Sequence, residues 1–133
     1  MKIIGKFPST RLRRVRKSKW IRRLISENKL STSDLIQPIF IREGKNKIEK
    51  IKTMPGINRY SVDKLKTILD RVVKYNIPMV ALFPLTPARK KDEFGSEALN
   101  KDNLICQSIK YIKKRYPKLG IMCDVALDPY TSH

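Results

Sequence analysis

Met79-Val-Ala-Leu-Phe83 is a short, continuous apolar run that lies between two helical patterns. A run of this kind is typical of a strand buried on both faces, as in a parallel sheet. Ser61 opens an amphipathic pattern that predicts a helix to about Asn76, and Pro78 prevents its continuation. The apolar positions of that helix are Val62, Leu65, Ile68, Leu69, Val72 and Val73. The stretch therefore predicts a helix that leads into a buried strand.

A second strand is predicted before this helix, at Leu35 to Ile41. It contains Pro38, which removes one ladder hydrogen bond and indicates a sheet edge, a bulge or a strand end. Residues 42–60 are predicted to form a loop that includes the turn Met54-Pro-Gly-Ile57.

The pattern repeats after the central strand. Residues 84–99 are predicted to be a loop, and Asn100 is predicted to cap a helix that Pro117 and Gly120 end. The apolar stripe of that helix is Leu104, Ile105, Ile109 and Ile112. Residues 119–127 then predict a third buried strand. The order β, α, β, α, β predicts an α/β fold with a parallel sheet covered by helices.

Composition limits the chain to one soluble domain. It has 133 residues, of which 41% are hydrophobic and 32% charged, and its apolar runs fall far short of the ~20 residues of a membrane helix. The N-terminal segment is too basic for a secretory signal. Cys106 and Cys123 are too few for a disulfide scaffold, so we expect a cytoplasmic location.

The excess of positive charge is concentrated at the N-terminus. The net charge is +18, and residues 1–29 hold eleven basic residues but only one acidic residue. Residues 1–33 are predicted to be a basic arm with one helix, from Ser18 to about Asn28, and residues 34–133 the α/β part. The helix carries an apolar stripe at Trp20, Ile21, Leu24 and Ile25. Such an arm indicates a nucleic acid, an anionic surface or an acidic partner, or a solvated segment.

Two carboxylates are the candidate site residues. Asp124 and Asp128 lie at the carboxyl end of the third predicted strand, where positions i and i+4 share a side. They are placed to hold a metal, an ammonium group or a Schiff-base lysine. For Asp128 the alternative is a local turn over Asp128-Pro-Tyr-Thr131. No dinucleotide, Walker or HExxH motif is present, the two cysteines lack zinc-site spacing, and His133 is the last residue.

A set of motifs resembles one enzyme family from about residue 9 to the end of the chain. The motifs are Arg11-Leu-Arg-Arg14, Asp34-Leu-Ile-Gln-Pro-Ile-Phe-Ile-Arg-Glu-Gly44, Met54-Pro-Gly56, Val80-Ala-Leu-Phe-Pro84, Gly95-Ser-Glu-Ala98 and Asp124-Val-Ala-Leu-Asp-Pro-Tyr-Thr-Ser-His133. In this order and spacing they resemble 5-aminolevulinate dehydratase, or porphobilinogen synthase. The resemblance implies a (β/α)₈ TIM barrel, of which this chain holds the arm and about three strands. The barrel is therefore expected to continue beyond His133.

The resemblance also implies a reaction and a metal type. The family is a hydro-lyase that condenses two molecules of 5-aminolevulinate into porphobilinogen in tetrapyrrole (haem) biosynthesis, through two Schiff-base lysines. No lysine here matches those two, so the isolated chain is expected to be inactive. Asp124 and Asp128 match supporting acids. Zinc-dependent members carry cysteines at the positions of Ala126 and Asp128, so the sequence indicates the zinc-independent, magnesium-responsive type, with no metal ligand identified in this chain.

Partners follow from the same resemblance. Family members form octamers in which arms embrace neighbouring subunits, so we expect a homo-oligomer assembled through the arm. We expect neither a membrane nor a nucleic acid as a partner. Two alternative functions remain open, a small basic nucleic-acid-binding protein and a gene remnant without a function. The first explains only the charge.

Overall fold

The computed structural model describes residues 5–10 and 13–132. It divides the chain into two compact units, residues 1–30 and 31–133. In the first unit, a 3-10 turn at Arg14–Arg16 precedes helix α1 at Lys19–Leu24. The prediction that this helix reaches Asn28 is wrong. The Ser26 hydroxyl donates to the Asn28 carbonyl, and such a local hydrogen bond competes with further helix.

The second unit is built on a five-stranded mixed sheet. Its strands are β1 (Ile36–Arg42), β2 (Ile48–Lys50), β3 (Asn58–Tyr60), β4 (Met79–Leu85) and β5 (Gly120–Cys123), in the order β2-β3-β1-β4-β5. β1, β4 and β5 are parallel, with Ile36 opposite Met79 and Met79 opposite Gly120. Helices α2 (Leu65–Lys74) and α3 (Leu104–Arg115) make the two crossovers. This is the α/β alternation that the sequence predicts.

The region predicted as a loop at residues 42–60 contains two short strands. β3 runs parallel to β1, and β2 is antiparallel to β3. Glu49 of β2 forms ion pairs with Arg42 at the end of β1 and with Arg59 of β3, the latter at 3.0 Å. Strands of three residues are too short to produce a periodic pattern, which explains why the sequence does not reveal them.

Pro38 lies in the central strand β1, in the first half of the strand, where β1 has one neighbouring strand. In the part of the chain that the structure describes, β3 pairs with β1 only at Phe40 and Ile41, whereas β4 pairs along the whole of β1. One side of Pro38 therefore has the character of a sheet edge. A proline, which has no N–H to donate to the ladder, can therefore occupy this position.

One face of the sheet carries the hydrophobic core. Side chains of β1, β4, α2 and α3 are almost completely buried there: Ile39, Ile41, Val80, Leu82, Leu65, Leu69, Val72 and Ile112. On the opposite face, Phe40 and Phe83 stack with ring centroids 5.6 Å apart, and Phe83 and Met122 are exposed. Burial on both faces, which the sequence predicts for β4, therefore holds for Val80 to Leu82 but not for Phe83.

Two predicted boundaries are wrong around α3 and β5. The cap of α3 is Asn103, not Asn100: the Asn103 Oδ1 atom accepts from the Cys106 N–H at 2.8 Å, and Asn100 closes the preceding turn. β5 ends at Cys123 rather than at Leu127. Residues 127–131 beyond it fold into a turn, in which the Leu127 carbonyl accepts two backbone N–H groups.

Candidate functional site

The carboxyl ends of β1, β4 and β5 meet at one edge of the sheet. Because the three strands are parallel, the segments that follow them emerge together there, and in α/β folds this edge carries the functional side chains. The segments are Glu43 and its neighbours, residues 86–99, and residues 124–132. Two polar clusters hold them in place.

The first cluster centres on Lys90. Its Nζ atom lies 2.8 Å from carboxylate oxygens of both Glu43, directly after β1, and Glu97, in the loop after β4. Arg89 forms a further ion pair with Glu43, and Asn100 donates to Glu97 at 3.1 Å. The cluster therefore ties the loop after β1 to the loop after β4.

These contacts decide the protonation of Lys90. The hydrogen bonds that the Lys90 ammonium donates to Glu43 and then to Glu97 raise its pKa, and the same hydrogen bonds lower the pKa of each carboxyl group. A Schiff base forms only with a neutral amine, which requires a lowered pKa. Lys90 therefore forms ion pairs at the functional edge, and its pKa is shifted in the direction opposite to the one that a nucleophilic lysine needs.

The second cluster joins the loop after β4 to the segment after β5. The Asp92 N–H donates to the Tyr130 carbonyl at 3.2 Å, and the Asp92 carbonyl accepts from the Ser132 N–H at 3.0 Å. The Asp92 Oδ1 atom accepts from the backbone N–H groups of Phe94 and Ser96, both at 3.0 Å. The bonds from Ser96, and the smaller contribution of Phe94, lower the pKa of the Asp92 carboxyl group.

Gly95 is required by this junction. Its φ of +65° is in the left-handed region that side chains disfavour, and the residue is buried. A Cβ atom there would lie 3.5 Å from Thr131 Cγ2 and 3.7 Å from Leu127 Cδ2. The segment after β5 therefore packs directly on this glycine.

The two predicted acids lie at this edge, but not as the sequence suggests. Asp124 and Asp128 are both exposed, and residues 124–127 are not strand, so the predictions of a buried Asp124 and of a shared strand face are wrong. Asp124 lines a pocket of about 270 Å³ beside Phe83 and Met122. Asp128 opens the 3-10 turn Asp128–Tyr130, as the alternative interpretation predicts. Their catalytic role stays a prediction.

The remaining candidates give no metal site. The two cysteines are free and half-buried, and burial raises the pKa of the Cys123 thiol. Ala126 offers no ligand atom, and His133 lies outside the described residues. Among the residues that the structure describes, no three His, Cys, Asp or Glu side chains are grouped to hold a metal ion.

Sequence reasoning missed both polar clusters. Asp92 was identifiable in part, because Asp followed by Gly three residues later is a turn signal. The Glu43–Lys90–Glu97 cluster left no signal, since its members come from two loops that only the parallel sheet brings together.

The model of the delta-aminolevulinic acid dehydratase family matches residues 9–133. The chain belongs to this family. It is 52% identical to the delta-aminolevulinic acid dehydratase of Bradyrhizobium diazoefficiens, covering 92% of this chain and 35% of that protein. It is 44% identical to that of Chlamydia pneumoniae, covering 94% and 38%. The chain thus spans little more than a third of either relative.

The dehydratase fold is confirmed by a solved structure. The crystal structure of the Toxoplasma gondii dehydratase (porphobilinogen synthase), in complex with its product porphobilinogen, superposes with a TM-score of 0.83 at 34% identity. The match covers 92% of this chain and 35% of that one. The prediction of an incomplete TIM barrel is therefore confirmed. In the described residues, no helix is long and apolar enough to cross a membrane.

Proposed function

We propose that this chain supplies the N-terminal third of a porphobilinogen synthase, which condenses two molecules of 5-aminolevulinate into porphobilinogen in haem biosynthesis. The observation that carries the proposal is the family match over residues 9–133, which includes the Asp124-to-Ser132 motif at the carboxyl edge of the sheet. That edge is where the loops of a barrel carry catalytic groups.

In this proposal Asp124 and Asp128 act as supporting acids. An exposed carboxylate at the strand end can accept a hydrogen bond from the substrate ammonium group and exchange a proton with it. The two Schiff-base lysines belong to the part of the enzyme that this chain does not cover. Lys90, the one lysine in the Glu43–Lys90–Glu97 cluster, is held as an ammonium group by its two carboxylates and does not replace them.

The test is a fusion enzyme. Residues 1–133 are joined to the part of the Bradyrhizobium diazoefficiens relative that lies beyond the match, which is 52% identical over 123 residues. We expect the fusion to form porphobilinogen from 5-aminolevulinate. We expect the isolated chain to form none and to gain no mass after borohydride treatment with substrate. A folded but inactive fusion contradicts the proposal, and a borohydride-stable adduct on the isolated chain contradicts its assignment of the lysines.

We further propose that the enzyme is zinc-independent and responds to magnesium. Ala126 has no ligand atom and Asp128 is a hard oxygen donor, which zinc-thiolate chemistry does not use. The fusion is expected to keep its activity under a zinc-selective chelator, and to lose activity in a general chelator that magnesium then restores. Activity that only added zinc restores would contradict this.

The arm is proposed to assemble the subunits into the homo-oligomer. The apolar side chains of Trp20 and Leu24 on α1 are largely exposed and need a surface to cover them. Removing residues 1–17 from the fusion is expected to produce a smaller assembly in light scattering. The matched control is a fusion in which Glu27, the one acid of the arm, is replaced by Gln. An unchanged mass after the truncation would show that the arm has another role.

A further inference from the structure

The loops after β4 and β5 are joined by an isolated parallel bridge between Asp92 and Thr131. Its two hydrogen bonds both use the backbone of Asp92, which donates to Tyr130 and accepts from Ser132. The bridge is remote from the pairing of β4 with β5, which ends at Leu82 and Cys123. It is therefore a second connection between the two segments, in addition to the pairing of the strands.

The side chain of Asp92 shapes the peptide that makes this bridge. By accepting the N–H groups of Phe94 and Ser96, its carboxylate closes a turn around its own backbone. The Gly95 N–H donates to the Asp92 carbonyl at 3.4 Å within the same turn. Without the carboxylate, the N–H groups of Phe94 and Ser96 lose their acceptor. The hydrogen bonds that fix the orientation of the Asp92 peptide are then lost from the turn.

The other side of the bridge is the turn that carries Asp128. The Leu127 carbonyl accepts from the Tyr130 N–H at 2.8 Å and from the Thr131 N–H at 3.1 Å. These hydrogen bonds hold the backbone on both sides of Asp128. On one side the turn is attached to β5, which ends at Cys123. On the other side the Asp92 backbone holds its last residues.

We propose that Asp92 is a positioning residue, whose carboxylate holds the 92–96 turn closed and thereby fixes the turn that presents Asp128. The proposal rests on the proposed function for the meaning of Asp128, but its mechanical part is independent of any activity. In this role Asp92 acts through its backbone hydrogen bonds with Tyr130 and Ser132.

The test measures amide hydrogen exchange in the 133-residue chain by NMR. In Asp92→Ala, exchange at the Ser132 amide is expected to accelerate roughly tenfold or more relative to the Leu82 amide of β4, because the loss of hydrogen bonds to a charged acceptor opens this junction locally. The amide signal of Asp128 is expected to shift in the same variant. Asp92→Asn keeps an acceptor oxygen and is expected to restore both readouts. Glu93→Ala is the matched control, because Glu93 is an exposed acid in the same turn.

Four results would overturn the proposal. They are unchanged exchange at Ser132 in Asp92→Ala, an equal acceleration at Leu82, an equal effect of Glu93→Ala, and failure of Asp92→Asn to restore protection. Because none of these readouts needs catalysis, an inactive fusion enzyme with the expected exchange pattern would refute the proposed function while leaving the role of Asp92 intact.

Discussion

Replacing Asp124 or Asp128 by asparagine in the fusion enzyme is expected to lower kcat by about 10²- to 10⁴-fold, the usual contribution of a group that moves protons. An amide keeps the size of the side chain but carries neither the charge nor a transferable proton. The structure places both carboxylates in the exposed segment after β5, so the substitutions are expected to leave the fold intact.

The control for these variants is Asp102→Asn. Asp102 lies just before α3, and its carboxylate is also exposed. It forms an ion pair with Lys110 of α3 at 2.9 Å. An exposed ion pair of this kind contributes little to stability, and we expect this variant to keep kcat within about twofold. Equal activities in all three variants would remove Asp124 and Asp128 from the catalytic machinery. A change confined to KM would assign them to substrate binding alone.

Replacing Leu69 by alanine is expected to lower the free energy of unfolding by about 2–5 kcal/mol, through lost burial and the cavity left behind. Leu69 lies on the face of α2 that packs against the sheet and is completely buried. Urea denaturation of the chain, followed by circular dichroism, measures the change.

Val73→Ala is the matched control on the same helix. Val73 has the same apolar character in the sequence pattern, but its side chain is 48% exposed. Because alanine is also the better helix former, the change in the free energy of unfolding is expected to stay below about 1 kcal/mol. Similar losses in the two variants would mean that α2 does not pack as described.

The fold was predictable where the sequence repeats a pattern over a full element. The apolar stripe of α2 and the run at β4 have lengths that match one helix and one strand, and both elements form close to the predicted residues. The hairpin of β2 and β3 was not predictable, because no apolar alternation marks it in the sequence. Its contacts include the ion pairs of Glu49 with Arg42 and Arg59 instead. The end of β5 was missed because apolar Val125 continues the strand pattern, although its side chain is fully exposed.

The site was predictable only as a location. Chain order and the run before Asp124 place functional groups at the carboxyl edge, and the structure has Asp124 and Asp128 there. Their environment depends on the turn at residues 127–131 and on its bridge to Asp92, and both are set by backbone hydrogen bonds between distant loops. A sequence pattern records which residues are apolar, but not which peptide groups will pair.

The order of the parallel strands has a consequence for synthesis on the ribosome. β1 emerges first, β4 adds to one of its sides, and β5 adds to the free side of β4, while the short β2–β3 pair occupies the other side of β1. When β3, β4 and β5 leave the exit tunnel, each thus finds a neighbouring strand already made, whereas β2 pairs only once β3 has followed it. The side of the sheet formed by β1, β4 and β5 can therefore grow vectorially during translation, with its newest strand at the growing margin.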